Sequence, residues 1–234
     1  MIEIRKSEER GHANHGWLDS HFTFSFADYF DPKFMGFRAL RVINEDRVAA
    51  GQGFGMHPHR DMEILTYVVE GQIAHRDSMG NQEVLGPNEI QRMSAGTGVR
   101  HSEFNPSSKE PLHLFQIWIQ PATAGTQPGY EQIKFDPAEK RNQLKLLAGP
   151  DGEEGAAWIN QDAKMLVAEL EKGKEIQYAL GSERGAWVHV VRGEVSVNGQ
   201  SLRDGDAAAI TREASVALAG SSNEASEVLL FDLA

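Results

Sequence analysis

Apolar residues along this chain come in short runs, not helical stripes. ILTYVV (64–69), LHLFQIWI (112–119), WVHVV (187–191) and EVLLFDL (227–233) are rich in β-branched and aromatic residues and are set off by Gly, Asn or Pro. Runs of that length and punctuation predict the strands of an all-β sandwich or barrel. In VSVNGQSL (195–202), Asn198-Gly199 predicts a tight hairpin, because a type I′ turn needs positive φ at both central positions. Helical periodicity is weak. PAEKRNQLKLL (137–147) could carry one or two helical turns opening at Pro137, or serve as plain linker.

The pattern also repeats. Val69-Glu70-Gly71-Gln72-Ile73 is echoed by Val191-Arg192-Gly193-Glu194-Val195, about 122 residues later. Each copy is followed by a second strand and a glycine turn, at Gly86 and at Gly205. Two such units predict tandem β-barrels. Pro and Gly cluster between them in QPATAGTQPGYEQIKFDP (120–137). The expected domains are therefore residues 1–135 and 136–234.

Composition narrows the field. The 234 residues suffice for two small domains, and the formal net charge of −11 repels phosphate backbones and anionic lipids, so neither direct nucleic-acid nor membrane binding is expected. With no cysteine, any metal must sit among nitrogen and oxygen donors. The N-terminus lacks an apolar stretch of signal-peptide length and no later window has membrane-spanning length, so a cytoplasmic location is the expectation.

Candidate chemistry centres on histidine. His57 and His59 stand two apart, as do His101 and Glu103. On strands, residues i and i+2 share a face, so each pair would project together. Pro58 removes a ladder donor, which predicts an edge strand. A lone HxH pair is more often a hydrogen-bonded surface pair, but two pairs in one barrel could give one cation three imidazoles and a carboxylate. That set suits iron, manganese, cobalt, nickel, copper or zinc. His12, His15 and His21 read as surface or hydrogen-bonding residues, and His75 as the start of a hairpin. His113 reads as pocket-facing or as buried with its polar atoms satisfied. Phe22, Phe24 and Phe26 read as packing residues.

GQGFGMHPHRDMEILTYVVEG (51–71) and GPNEIQRMSAGTGVRHSEFN (86–105) resemble the two cupin motifs. With WLDSHFTFSFADYFDP (17–32), LRVINEDRV (40–48), HRDSMGN (75–81) and QIWIQP (116–121), the resemblance is to the pirin family of bicupins and covers most of residues 10–121. It implies two cupin barrels, with His57, His59, His101 and Glu103 as metal ligands and iron(II) as the expected ion. In general cupins the glutamate after the HxH pair commonly completes the shell. Glu63 shares strand parity with His57 and His59, so it is expected to face the site from behind the ligands, or less favourably to be one. Matching positions in the second half fall on Ala179, Gly181, Gly220 and Ser222, so that barrel is expected to bind no metal, and His189 reads as a packed residue.

Bacterial members of the resembled family include quercetin 2,3-dioxygenases. The resemblance thus implies a flavonol substrate, dioxygen as co-substrate and Glu103 as catalytic base. An alternative reading is a metal- or redox-sensing protein that binds a regulator or a metabolic enzyme. Two covalently linked barrels lead to the expectation of a monomer.

Overall fold

A computed structural model describes residues 1–234, the side chain of Glu154 apart. The chain is all-β and divides into two compact units. One holds residues 11–135 with 157–161; the other holds residues 1–10, 136–156 and 162–234.

The first unit sets a seven-stranded antiparallel sheet beside a four-stranded one. The larger sheet runs in the order 129–134, 89–94, 63–70, 112–119, 40–48, 18–22 and 11–14. The smaller runs 53–59, 99–104, 73–77 and 82–85. Strand Gly53–His59 is the edge strand that Pro58 requires.

In the second unit the small sheet runs 175–179, 215–220, 194–197 and 200–203, and the larger includes 207–211, 185–192, 226–233 and 163–170 in that order. Strand for strand this is the order of the first unit, so the sequence echo is a repeat of topology. Gly71 and Gly193 occupy the same corner with φ of 79° and 83°, a backbone that disfavours a Cβ. Asn198 and Gly199, at φ 47° and 82°, close the expected hairpin between Val197 and Gln200.

Two expectations need correction. Residues 1–10 belong with the second unit: Ile2–Arg5 pairs with Ala207–Ile210, Ile2 and Ile4 pack on its core, and Lys6 Nζ lies 2.9 Å from Asp206. Residues 137–147 divide between a single 3₁₀ turn, Pro137–Lys140, and a strand, Lys145–Gly149. Asp136 caps the turn by accepting from Ala138 N, and the apolar run LKLL goes to the sheet instead.

The two interiors differ. In the second unit one continuous apolar cluster fills the barrel, including Val188, Val190, Val216, Leu218, Val228 and Leu230, with Ile176 and Tyr178 packed against it. In the first, Val68, Leu112 and Leu114 belong to one cluster and Ile64, Met93 and Val99 to another. Also buried in that unit are Asn44, Asp46, Thr66, His75, Gln91, His101 and Glu103. Interior polar groups on this scale are costly unless they are bonded or serve a ligand.

Pairing of Gly53–His59 with Val99–Phe104 carries a bulge: His101 faces His57, but Glu103 faces Phe54. Beyond it Gly53 faces Phe104, and a Cβ on Gly53 would come within 2.2 Å of the Glu103 carbonyl oxygen. Gly53→Ala is therefore expected to destabilise the metal-free protein by about 1–3 kcal/mol through overpacking. Gly55→Ala, whose Cβ meets nothing within 4 Å among the described residues, is the control. Urea denaturation followed by tryptophan fluorescence measures both; equal stabilities would contradict the close approach.

Candidate metal centre and its cavity

Strand Val99–Phe104 is flanked by Gly53–His59 on one side and Ile73–Asp77 on the other. His101 lies opposite His57 in one ladder and Asp77 in the other, and Glu103 lies opposite His75. The rings of His57, His59 and His101 gather within 4.5–4.8 Å of one another, centre to centre. Each ring offers a nitrogen within 4.8 Å of the others, and His75, His101 and Glu103 form a second such group sharing His101.

His57 is oriented by the bulge. Its Nδ1 lies 2.7 Å from the Gly55 carbonyl oxygen, which can only accept, so Nδ1 carries the proton and Nε2 presents a lone pair. That Nε2 lies 3.0 Å from Nε2 of His101. Two nitrogens bonded at right angles to one ion, each at about 2.0–2.1 Å, would stand about 2.8–3.0 Å apart. The observed spacing fits a shared cation. His101 is fully buried, and its Nδ1 has no hydrogen-bond partner among the described residues.

Electrostatics point the same way. Burial, with the neighbouring His57, lowers the His59 pKa to about 4, and burial, with His57, His59 and His75 nearby, lowers that of His101 to about 2. Both rings are therefore neutral, the form that ligates. Burial pushes the Glu103 carboxyl up to about 7, opposed by a bond from Gln116 and helped by the charge of Asp46. Thr66 donates to Gln116 Oε1 at 3.2 Å, and Gln116 Nε2 lies 3.1 Å from Glu103 Oε2, so a side-chain relay sets the carboxylate's orientation. An ionised carboxylate this deep calls for a positive partner. The group is capable of coordinating a divalent metal.

A cavity of about 290 Å³ opens on one side of the group. Phe22, Phe26, Phe54 and Trp118 line it, together with His57, His59 and Glu103. Trp118 meets His59 and Phe26 edge-on at 4.9 and 5.4 Å. The volume sits at the small end of the usual range of roughly 300–1,000 Å³ for ligand sites and suits one flat aromatic molecule.

Some sequence expectations change here. Glu63 does not face the site: it accepts from Ser94 Oγ at 2.6 Å, beside the Arg92–Glu131 pair. The backbone turns at Asp61, with φ of 48°, so strand parity cannot be carried from His59 to Glu63. Phe22 and Phe26 are cavity walls as well as packing residues, and His15 also lines the cavity. His75, set aside on sequence, backs the centre: its ring lies 5.3 Å from that of His101 and stacks on Tyr130 at 4.9 Å, with Nε2 3.3 Å from Asp77. The available signal was its two-residue spacing from Asp77, but its place beside Glu103 depends on strand pairing. His113 is bonded to Glu45 at 3.0 Å. His12 lies 2.7 Å from Asp19, and with His21 they form a more exposed His-Asp-His group.

Comparisons with known proteins agree with this architecture. The family model Pirin matches residues 3–119, and a quercetinase C-terminal cupin domain model matches residues 146–233. A quercetin 2,3-dioxygenase of Escherichia coli K12 is 53% identical over 100% of this chain and 99% of its own length. A pirin-like protein of Caulobacter vibrioides is 40% identical over the whole of both chains. The crystal structure of the bacterial pirin YhhW from Escherichia coli in complex with nickel(II) superposes with a TM-score of 0.93 at 52% identity, covering 100% of this chain and 99% of that one.

As a ligand of a bound cation, Glu103 would have to be ionised. With that carboxyl near 7 in the metal-free protein, affinity is expected to fall as the pH drops below 7 and to level off above it. Nickel(II) uptake at pH 6 should thus release about one proton per ion, and Glu103→Gln should abolish that release. Calorimetry in buffers of different ionisation enthalpy reads the proton count; the same release from both proteins would contradict the assignment.

Proposed function

This chain belongs to the pirin family, and on that premise we propose that it is a metal-dependent dioxygenase that cleaves flavonols such as quercetin. The observation that carries the reading is the junction of two features: three converging imidazoles near a buried carboxylate, and a cavity with aromatic lining that reaches them. The naming of a full-length relative at 53% identity as a quercetin 2,3-dioxygenase supports it.

In this reading His57, His59, His101 and Glu103 hold one divalent transition metal, with iron(II) the first ion to load. When bound, the ion would supply Lewis acidity to the substrate's adjacent hydroxyl and carbonyl oxygens. The protein's own contribution is position and proton control. Trp118, Phe22 and Phe26 hold the flat ring system and exclude water from it. Glu103, a buried carboxylate lining the cavity, accepts the 3-hydroxyl proton as its base. Gln116 and Thr66 keep the carboxylate aimed during that transfer. Dioxygen then opens the heterocycle with release of carbon monoxide.

Oxygen uptake and carbon monoxide release with quercetin test this, on protein stripped and reloaded separately with Fe(II), Mn(II), Co(II), Ni(II) or Cu(II). Metal-dependent turnover is expected, absent in His101→Ala and lowered about 10²–10⁴-fold in Glu103→Gln. Silence from every loaded form would overturn the dioxygenase reading in favour of a metal-sensing binding protein. Full turnover by Glu103→Gln would remove the base assignment alone.

A further inference from the structure

Strand Leu40–Val48 places Asn44 and Asp46 on the same face as Val42 and Val48. Both polar residues line the cavity, and they are only 4% and 5% exposed. Asn44 stands opposite Gln116, the residue that holds Glu103, and Asp46 stands opposite Ser20. The two residues therefore line the same cavity as Glu103.

Hydrogen-bond accounting leaves room for a ligand. The Ser20 hydroxyl donates to Asp46 Oδ1, filling one of the roughly four acceptor positions a carboxylate offers. The buried Oδ1 of Asn44 has no partner among the described residues. Native interiors seldom leave such an oxygen unsatisfied. Asn44 and Asp46 share the cavity lining with Phe22, Phe26, Phe54 and Trp118, a combination that suits an aromatic molecule carrying O–H donors.

We propose that Asn44 and Asp46 form a subsite for phenolic hydroxyls, which selects polyhydroxylated flavonols over the unsubstituted ring system. The proposal rests on the flavonol reading and adds what that reading leaves open, the substituents the site prefers. Ser20 is a positioning residue in it, holding the Asp46 carboxylate in place. A site built to bond a hydroxyl discriminates strongly against the analogue that lacks it, since its own polar groups are then left unpaired.

Isothermal titration of the metal-loaded protein with quercetin and with 3-hydroxyflavone, which lacks the ring hydroxyls, provides the test. The wild-type chain is expected to bind quercetin at least about tenfold more tightly. Asn44→Leu and Asp46→Asn should each narrow that ratio by about threefold or more, mainly by weakening quercetin binding. Both are close in size to the native residue, and either one that keeps the wild-type circular dichroism decides the question. Equal affinities in the wild type, or a ratio unchanged in a folded variant, would overturn the subsite and leave the flavonol reading standing. Failure of the wild type to bind either compound would overturn both.

Discussion

A barrel interior that holds a carboxylate beside three imidazoles is electrostatically unfinished without a cation. Burial, helped by Asp46 in one case and by the neighbouring imidazoles in the other, drives Glu103 to about 7 and His101 to about 2, each toward its neutral form. A dication held in the proposed site would reverse the preference for the carboxylate while requiring the imidazoles to stay neutral. Much of the local structure serves that arrangement. The bulge in Gly53–His59 brings the Gly55 carbonyl under His57, Gly53 allows the two strands to close beyond it, and Thr66 and Gln116 fix the carboxylate.

The second barrel shows what the same topology does when this constraint is absent. Its strands Glu175–Ala179 and Ser215–Gly220 occupy the positions of the two strands that carry His57, His59, His101 and Glu103. There Ile176, Tyr178, Val216 and Leu218 join one apolar cluster. Continuous burial of that kind is the cheaper solution. The first barrel gives up a continuous core and gains a cavity with a polar end. Stability and chemistry are thus divided between two copies of one fold.

The strand pattern, the repeat and the two pairs His57/His59 and His101/Glu103 were legible in the sequence because each depends on local spacing. Two-residue periodicity on extended chain tells which residues share a face, and glycine and Asn-Gly mark the corners. What was not legible depends on pairing between distant strands or on one backbone angle. Asp61 at φ 48° turns Glu63 away from the site although its parity matches. His75 reaches Glu103 only through the ladder between Ile73–Asp77 and Val99–Phe104. Ile2–Arg5 joins a strand some 200 residues later, which no local pattern announces. The FTFSF segment looked like packing because an aromatic wall and an aromatic core have the same composition.

Locating the metal is the most direct test. Among the described residues three groups could hold an ion, two that share His101 and the more exposed His12, Asp19 and His21. Crystals of the protein loaded with one equivalent of nickel(II), measured at the nickel absorption edge, would place the ion by its anomalous signal. A single strong peak among His57, His59, His101 and Glu103 is the expected result. A peak confined to His12, Asp19 and His21, with none in the barrel, would contradict the assignment of the centre.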